Sequence, residues 1–221
     1  MKQPLLFFVK FPVAGCVKSR LGDEIGYELA ARYYSAFVLD LLARIDRHEI
    51  EILIFFDPNH SVENYEGWLG KRKMISQHGE DLGERMFNAF EDAFKLGYDS
   101  CVLTGSDLPD LTAQEISRGM ESLRKHPVCI GPATDGGYFL IGFQKETLTK
   151  VPFTNMKWST PEVFTETILR LKSVGLEPFI LPEHADIDTA QDLAKLINRK
   201  GFQTKCPHTF AVSNDDISSL K

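Results

Sequence analysis

Short runs of apolar residues alternate along the chain with longer segments whose apolar residues recur every three or four positions. The short runs are rich in branched and aromatic residues, which is typical of buried strands. Strands are predicted at Leu5–Val9, Ile50–Phe56, Met74–Gln77, Ser100–Thr104, Val128–Ile130, Tyr138–Gly142 and Phe179–Leu181. Strands that alternate with helices in this way predict an α/β fold with a mostly parallel sheet and helices on both faces.

The longer segments have the period of amphipathic helices. The first helix places one apolar residue at every fourth position, namely Ile25, Leu29, Tyr33, Phe37 and Leu41. Further helices are predicted around residues 82–94 and 116–123, over Pro161–Val174, and from Thr189 to Asn198. Periodicity stops at Gly201, so we expect one domain over residues 1–200 and a tail over 201–221, as an appendage or partly disordered segment.

Composition narrows the function classes only a little. The 221-residue chain is 43% hydrophobic and carries a formal net charge of −6, which argues against broad binding to a nucleic-acid backbone. The first apolar run ends at Lys10 and is too short for a signal peptide or a membrane span. The four cysteines have no zinc-ligand spacing. We therefore expect a cytoplasmic protein.

The loop after the first predicted strand is the first candidate for chemistry. Lys10, Lys18 and Arg20 supply three cations around Gly15, which permits a tight backbone path. Arginine binds phosphate oxygens in pairs and lysine acts as a point charge, so the loop predicts an anion site. The alternative is a solvated basic loop. The glycine spacing excludes both a P-loop and a dinucleotide fingerprint.

Polar residues also follow the later strands. Gln77 and Arg85 flank a segment in which Asp81 and Glu84 are explained by helix capping, so Gln77 and Arg85 are candidate ligands. Asp107 follows a fully apolar strand, where folding alone explains a carboxylate poorly. Carboxylates are ligands of Mg²⁺ and Mn²⁺, so Asp107 is the first metal candidate, and Ser106 beside it is a candidate phosphate ligand.

Two further loops complete the set. The segment at 135–137 contains Asp135, Gly136 and Gly137 and has two interpretations. It forms a turn, or it lets a substrate approach the backbone closely. Asp186 and Asp188 alternate along an extended segment and face the same side, so one of them could complete the metal site.

Together these motifs resemble a family of small bacterial GT-A-like proteins, the glycosyltransferases or nucleotide-diphospho-sugar transferases that were long carried as a domain of unknown function. The resemblance runs from Leu6 to about Leu196. It rests on FVKFP at 8–12, KSRL at 18–21, DLGERM at 81–86, GSDLP at 105–109, GPATDGGY at 131–138, WST at 158–160 and DIDT at 186–189.

The resemblance implies a GT-A fold, a three-layer α/β/α sandwich related to phospholactate guanylyltransferase and to molybdopterin nucleotidyltransferases. It implies that Lys18 and Arg20 bind phosphate and that Asp107 and Asp188 hold Mg²⁺ or Mn²⁺. The first loop departs from the Gly-Thr-Arg-rich loop of the nucleotidyltransferases, so the donor nucleotide is not identified.

The leading hypothesis is a metal-dependent transferase that takes a nucleotide-sugar donor and an unknown small acceptor. Lys18 would stabilise charge on the diphosphate together with the metal at Asp107, and Asp135 would be an acceptor-side base. Trp158 would form an aromatic wall for a sugar or base, and Gly136 and Gly137 would let the substrate approach the backbone. One alternative is nucleotidyl transfer from a nucleoside triphosphate to a phosphorylated molecule. The other is a protein that binds nucleotides without catalysis.

Overall fold

A computed structural model describes residues 2–219 of the chain, with side chains through residue 215. The chain forms two compact units, each built from separate segments. The first unit contains the residues up to Val9 together with Ile50–Gly105 and Ala113–Ala185. The second contains Lys10–Glu49, Ser106–Thr112 and the residues from Asp186 onward. Helices and strands are numbered in chain order.

The first unit is built on one mixed sheet of seven strands. The strands are β1 Leu5–Val9, β2 Ile52–Phe56, β3 Met74–Ser76, β4 Ser100–Thr104, β5 Val128–Pro132, β6 Tyr138–Gln144 and β7 Phe179–Ile180. Their order across the sheet is β3-β2-β1-β4-β6-β5-β7. Only β6 is antiparallel to its neighbours, β4 and β5, and the other pairings are parallel. The prediction of a mostly parallel sheet is therefore confirmed.

Helices cover both faces of this sheet. They are α3 Val62–Leu69, α4 Leu82–Lys95, α5 Ala113–Ser122 and α6 Val163–Ser173, with a short 3-10 helix at Lys145–Thr147. Ile141 of β6 shares one core cluster with Phe90 of α4 and Leu171 of α6. Leu140, its neighbour in β6, contacts Gly119 of α5. Because adjacent residues of a strand point to opposite faces, α5 lies on the face opposite to α4 and α6.

The second unit is helical. Its helices are α1 Ser19–Ile25, α2 Tyr27–Asp46, α7 Ala190–Ile197, α8 Phe202–Lys205 and α9 Pro207–Ser219. Its core contains Leu21, Phe37, Leu193 and Phe202, all buried. The sequence led us to expect an appendage or a partly disordered segment after Gly201, and the structure instead has α8 and α9 there. The domain boundary at residue 200 itself stays a prediction.

The buried carboxylate of Asp40 explains why α9 packs although the sequence shows no clear apolar period there. Asp40 Oδ2 accepts hydrogen bonds from Thr209 N at 2.9 Å and from Thr209 Oγ1 at 2.6 Å. Asp40 Oδ1 accepts one from His208 N at 2.9 Å. These donors belong to the first turn of α9, where free amide groups favour a negative charge. Among the described helices, none is long and apolar enough to cross a membrane.

Candidate active site

A lysine held between two aspartates forms the first candidate site, and all of its residues belong to the second unit. Lys18 Nζ lies 2.9 Å from Asp107 Oδ2 and 3.0 Å from Asp188 Oδ1. Arg20 Nη1 lies 3.2 Å from Asp188 Oδ2. The Lys18 side chain is 2% exposed, whereas that of Asp107 is 47% exposed. The cluster therefore has a buried cation at its centre and a carboxylate that faces solvent.

The charge on Lys18 is set by two opposing effects. Burial lowers the pKa of the Lys18 ammonium, because charge is costly away from water. The carboxylates of Asp107 and Asp188 outweigh that effect through their charge and their hydrogen bonds, so the pKa lies above its ordinary value of 10.5. Lys18 is therefore a fixed positive charge at neutral pH.

Buried polar contacts hold the segments that carry this cluster. Lys10 N donates to Tyr34 Oη at 2.9 Å, and Tyr34 Oη lies 2.8 Å from Ser106 Oγ. Arg44 of α2 donates to Pro109 O and Leu111 O at 2.7 and 2.8 Å. These bonds fix the chain on both sides of Asp107.

Local backbone geometry positions the other two members of the cluster, Lys18 and Asp188. Lys18 itself has φ +48°, a left-handed conformation that non-glycine residues rarely adopt. Thr189, which follows Asp188, caps α7 in a reciprocal pair with Asp192. The backbone at Lys18 and the backbone directly after Asp188 therefore have locally defined conformations.

The donor set of the cluster fits a hard divalent cation. Asp107 and Asp188 each place an oxygen on the same nitrogen, so both lie within reach of one ion. Within residues 2–219, no group of three or more His, Cys, Asp and Glu side chains is arranged to hold a metal. Mg²⁺ commonly takes one or two carboxylates and completes its shell with phosphate and water. An ion here would compete with Lys18 for the carboxylates.

An apolar pocket of about 280 Å³ is the second candidate site, and it lies within the first unit. It is lined by Phe8, Leu82, Met86, Leu103, Gly105, Asp135, Gly137, Tyr138, Phe139, Trp158, Ser159, Thr160 and Val163. Among these lining residues, Asp135 is the only carboxylate, and there is no Lys, Arg or His. The phenol of Tyr138 is neutral, since burial raises its pKa.

Two close approaches fix the walls of this pocket. Gly136 has φ +88°, and a Cβ there would lie 2.2 Å from Pro161 O, so only glycine fits the turn between β5 and β6. A Cβ at Gly83 of α4 would lie 2.9 Å from the Trp158 ring. Trp158 also packs edge-on against Tyr138, with ring centroids 6.4 Å apart.

Two polar groups at the pocket matter for its chemistry. Asp135 is exposed, and its Oδ1 accepts a hydrogen bond from Gly137 N at 2.9 Å. The Trp158 Nε1–H is buried and has no hydrogen-bond partner among the described residues. The pocket thus has one carboxylate on walls that are otherwise mostly apolar, and the unpaired indole N–H of Trp158 is buried behind its surface.

The remaining predicted ligands occupy varied positions. Gln77 is buried, and its Nε2 donates to Phe55 O at 2.7 Å. Arg85 Nη1 lies 3.1 Å from Asp57 Oδ2. Lys10 and Gly15 are exposed, whereas Ser106 is buried against Tyr34. The roles of these residues stay predictions, and the contacts of Gln77 and Arg85 give both side chains a structural task as well.

Sequence reasoning missed several residues that build these sites. Tyr34 lies on the helix that was recognised, but its hydroxyl contact with Ser106 spans 72 positions and leaves no local signal. Only the fold places Met86 at the pocket wall and Gly83 directly against the Trp158 ring. The sequence signal available for these two residues was their place in the DLGERM motif at 81–86.

Comparison with known proteins identifies the fold. A crystal structure from Desulfovibrio desulfuricans G20, described as a "putative nucleotide-diphospho-sugar transferase", is 35% identical to this chain with a TM-score of 0.91. The match covers 98% of this chain and 96% of that chain. The sequence also matches the family described as "Uncharacterized protein conserved in bacteria (DUF2064)" over residues 41–160. None of the curated proteins matches the sequence.

More distant structures share the fold alone. A cytidylyltransferase from Leptospira borgpetersenii is 14% identical with a TM-score of 0.57, over 99% of this chain and 96% of that chain. A CMP:2-keto-3-deoxy-manno-octonic acid synthetase complexed with CTP is 15% identical with a TM-score of 0.54, over 89% of this chain and 97% of that chain.

The fold and these relatives define the class of protein. The chain has the fold of nucleotide-diphospho-sugar transferases, and it is a transferase, as the sequence predicted. Within that class it belongs to the bacterial DUF2064 family. The family expected from the motifs is confirmed.

Proposed function

We propose that the chain transfers a sugar from a nucleoside diphosphate to a hydroxyl group of a small acceptor. The observation that carries this proposal is the charge of the pocket in the first unit, which has a carboxylate and no cation among its lining residues. In the alternative, nucleotidyl transfer to a phosphorylated molecule, the acceptor is a phosphate anion, which such a pocket would repel. A hydroxyl acceptor suits both the apolar walls and the carboxylate.

The lysine–aspartate cluster is assigned to the donor. Lys18 and Arg20 are the cations of the cluster, and the exposed side of Asp107 leaves it open to solvent. Lys18 stays protonated at neutral pH, so it can stabilise the negative charge that develops on the departing diphosphate. Asp107 and Asp188 would hold Mg²⁺ or Mn²⁺, which supplies further positive charge for the phosphates.

Asp135 is assigned to the acceptor as a general base. Its Oδ1 is fixed by Gly137 N, which leaves Oδ2 for the acceptor hydroxyl. In the proposed step the acceptor oxygen forms a bond to the sugar C1 and gives its proton to Asp135. The C1–O bond to the diphosphate breaks, and the nucleoside diphosphate leaves with the electron pair. A positioned base of this kind contributes about 10²–10⁴-fold to a rate.

The test measures release of nucleoside diphosphate from UDP-, GDP- and dTDP-sugars, with Mn²⁺ and without it. Slow hydrolysis of the donor by water gives a signal even without the acceptor. Asp135→Asn is expected to lower this rate at least 100-fold, whereas Glu121→Gln, an exposed carboxylate of α5, should leave it unchanged. Pyrophosphate from a nucleoside triphosphate, with no turnover of any sugar nucleotide, would show nucleotidyl transfer instead.

A further inference from the structure

The residues that line the apolar pocket of the first unit restrict the acceptor further than the need for a hydroxyl group does. Its volume of about 280 Å³ is at the small end of ligand pockets, enough for a single-ring molecule. Four of its lining side chains are aromatic, namely Phe8, Tyr138, Phe139 and Trp158. Met86 adds a polarisable sulfur beside the Tyr138 hydroxyl, at 3.8 Å. Such walls favour a flat or compact apolar ring.

Charge and hydrogen bonding limit the ligand further. Asp135 would repel a phosphate or carboxylate on the ligand, and no lining cation offsets that repulsion. The buried Trp158 Nε1–H lacks a partner among the described residues, and a buried unpaired donor is costly. A small shift of the Trp158 side chain on binding would let a ligand oxygen accept this bond and remove the cost. We infer that the acceptor is an uncharged alcohol carried on an aromatic or alicyclic ring.

This inference rests on the proposed sugar transfer but can be tested by binding alone. The chain has two tryptophans, so Trp68→Phe leaves Trp158 as the only tryptophan reporter. Trp158 fluorescence is followed while benzyl alcohol, cyclohexylmethanol, benzyl phosphate, uridine or guanosine is added. Both alcohols should give a saturable change, with a Kd at least tenfold lower than that of benzyl phosphate.

Variants at two glycines locate the binding. A Cβ on Gly105, which lines the pocket, would start in open space, so Gly105→Leu is expected to fold and to fill part of the cavity. Gly67→Leu in α3 is the control, because its Cβ also starts in open space and Gly67 does not line the pocket. Only Gly105→Leu should weaken alcohol binding, by at least tenfold, while thermal melting confirms that both variants fold.

A separate variant tests the unpaired indole N–H of Trp158. Trp158→Phe keeps an aromatic ring but removes the N–H, so calorimetry should show a 3- to 10-fold loss of affinity for benzyl alcohol. An unchanged affinity would remove the donor from the inference.

Three results would overturn the proposal. Benzyl phosphate could bind as tightly as the alcohols, or neither alcohol could give a saturable signal. A nucleoside could also bind more tightly than the alcohols and lose its signal in Gly105→Leu, which would make the pocket the site of the donor base. Donor turnover without alcohol binding would reject this inference and keep sugar transfer. Alcohol binding without turnover of any donor would confirm the ligand class of the pocket but reject the role of that ligand as a sugar acceptor.

Discussion

At the scale of single residues, Lys18 is the group whose removal should have the largest effect on the cluster. Lys18→Met leaves the carboxylates of Asp107 and Asp188 close together without the buried cation between them. Breaking a buried ion pair costs about 3–5 kcal/mol, but Asp107 is half exposed, so we expect a loss of about 1–3 kcal/mol. Chemical denaturation at pH 7 measures it. Lys10→Met, an exposed lysine of the same segment, should change stability by less than about 0.5 kcal/mol.

The raised pKa of Lys18 also predicts that the stability of the folded chain falls at high pH. The pKa of Lys18 is higher in the folded chain than its ordinary 10.5, so the folded state binds this proton more tightly. The resulting stability is fully present below pH 10.5 and is lost as the pH rises through the folded pKa. Denaturation from pH 9 to 11.5 should show a steeper loss for the wild type than for Lys18→Met. Parallel curves would mean that the carboxylates do not raise the pKa of Lys18.

Single residues of the candidate site could be selected from the sequence, but their contacts could not. The sequence selected Lys18, Asp107 and Asp188, and the structure brings the Lys18 ammonium within 3.0 Å of an oxygen of each aspartate. Lys18 and Asp188 are 170 positions apart, so nothing local shows that the lysine pairs with the aspartates. The same limit applies to the hydrogen bond between Tyr34 and Ser106.

At the scale of elements, the turn between β5 and β6 should depend on Gly136. Gly136→Ala puts a side chain at φ +88° and a Cβ 2.2 Å from Pro161 O. We expect a loss of about 2–4 kcal/mol, since backbone strain and a backbone clash add together. Gly70→Ala is the matched control, because Gly70 has φ +76° but open space around its Cβ. Its expected cost is about 1 kcal/mol. Equal losses would show that the contact with Pro161 is unimportant.

Most elements were predictable because their apolar period is strong. The strands β1 and β2 are continuous apolar runs, β4 has an apolar centre between Ser100 and Thr104, and α4 has a clear buried face. The helix α3 was missed, since its buried residues are only Tyr65 and Leu69 among polar neighbours. The antiparallel direction of β6 was not predicted either, because a strand buried on both faces has the same sequence pattern in either direction.

At the scale of the whole molecule, residues 202–213 are part of the core of the second unit rather than an addition to it. Phe202 and Cys206 are buried in the second unit, and α9 donates three hydrogen bonds to the buried Asp40. This packing depends on a polar contact across about 170 positions, which explains why a search for apolar periods predicted a tail.

Truncation tests directly whether α8 and α9 stabilise the second unit. A chain that ends at Lys200 should leave the Asp40 carboxylate buried without its donors and uncover the core residues beneath α8. We expect a loss of about 3 kcal/mol or more, because an unpaired buried charge alone costs that much. A chain that ends at Asp215 keeps all of these contacts and should melt within a few degrees of the full chain. Thr209→Val, which removes one donor, should cost about 1–3 kcal/mol. If the chain that ends at Lys200 melts like the full chain, residues 201–219 contribute little to the stability of the second unit.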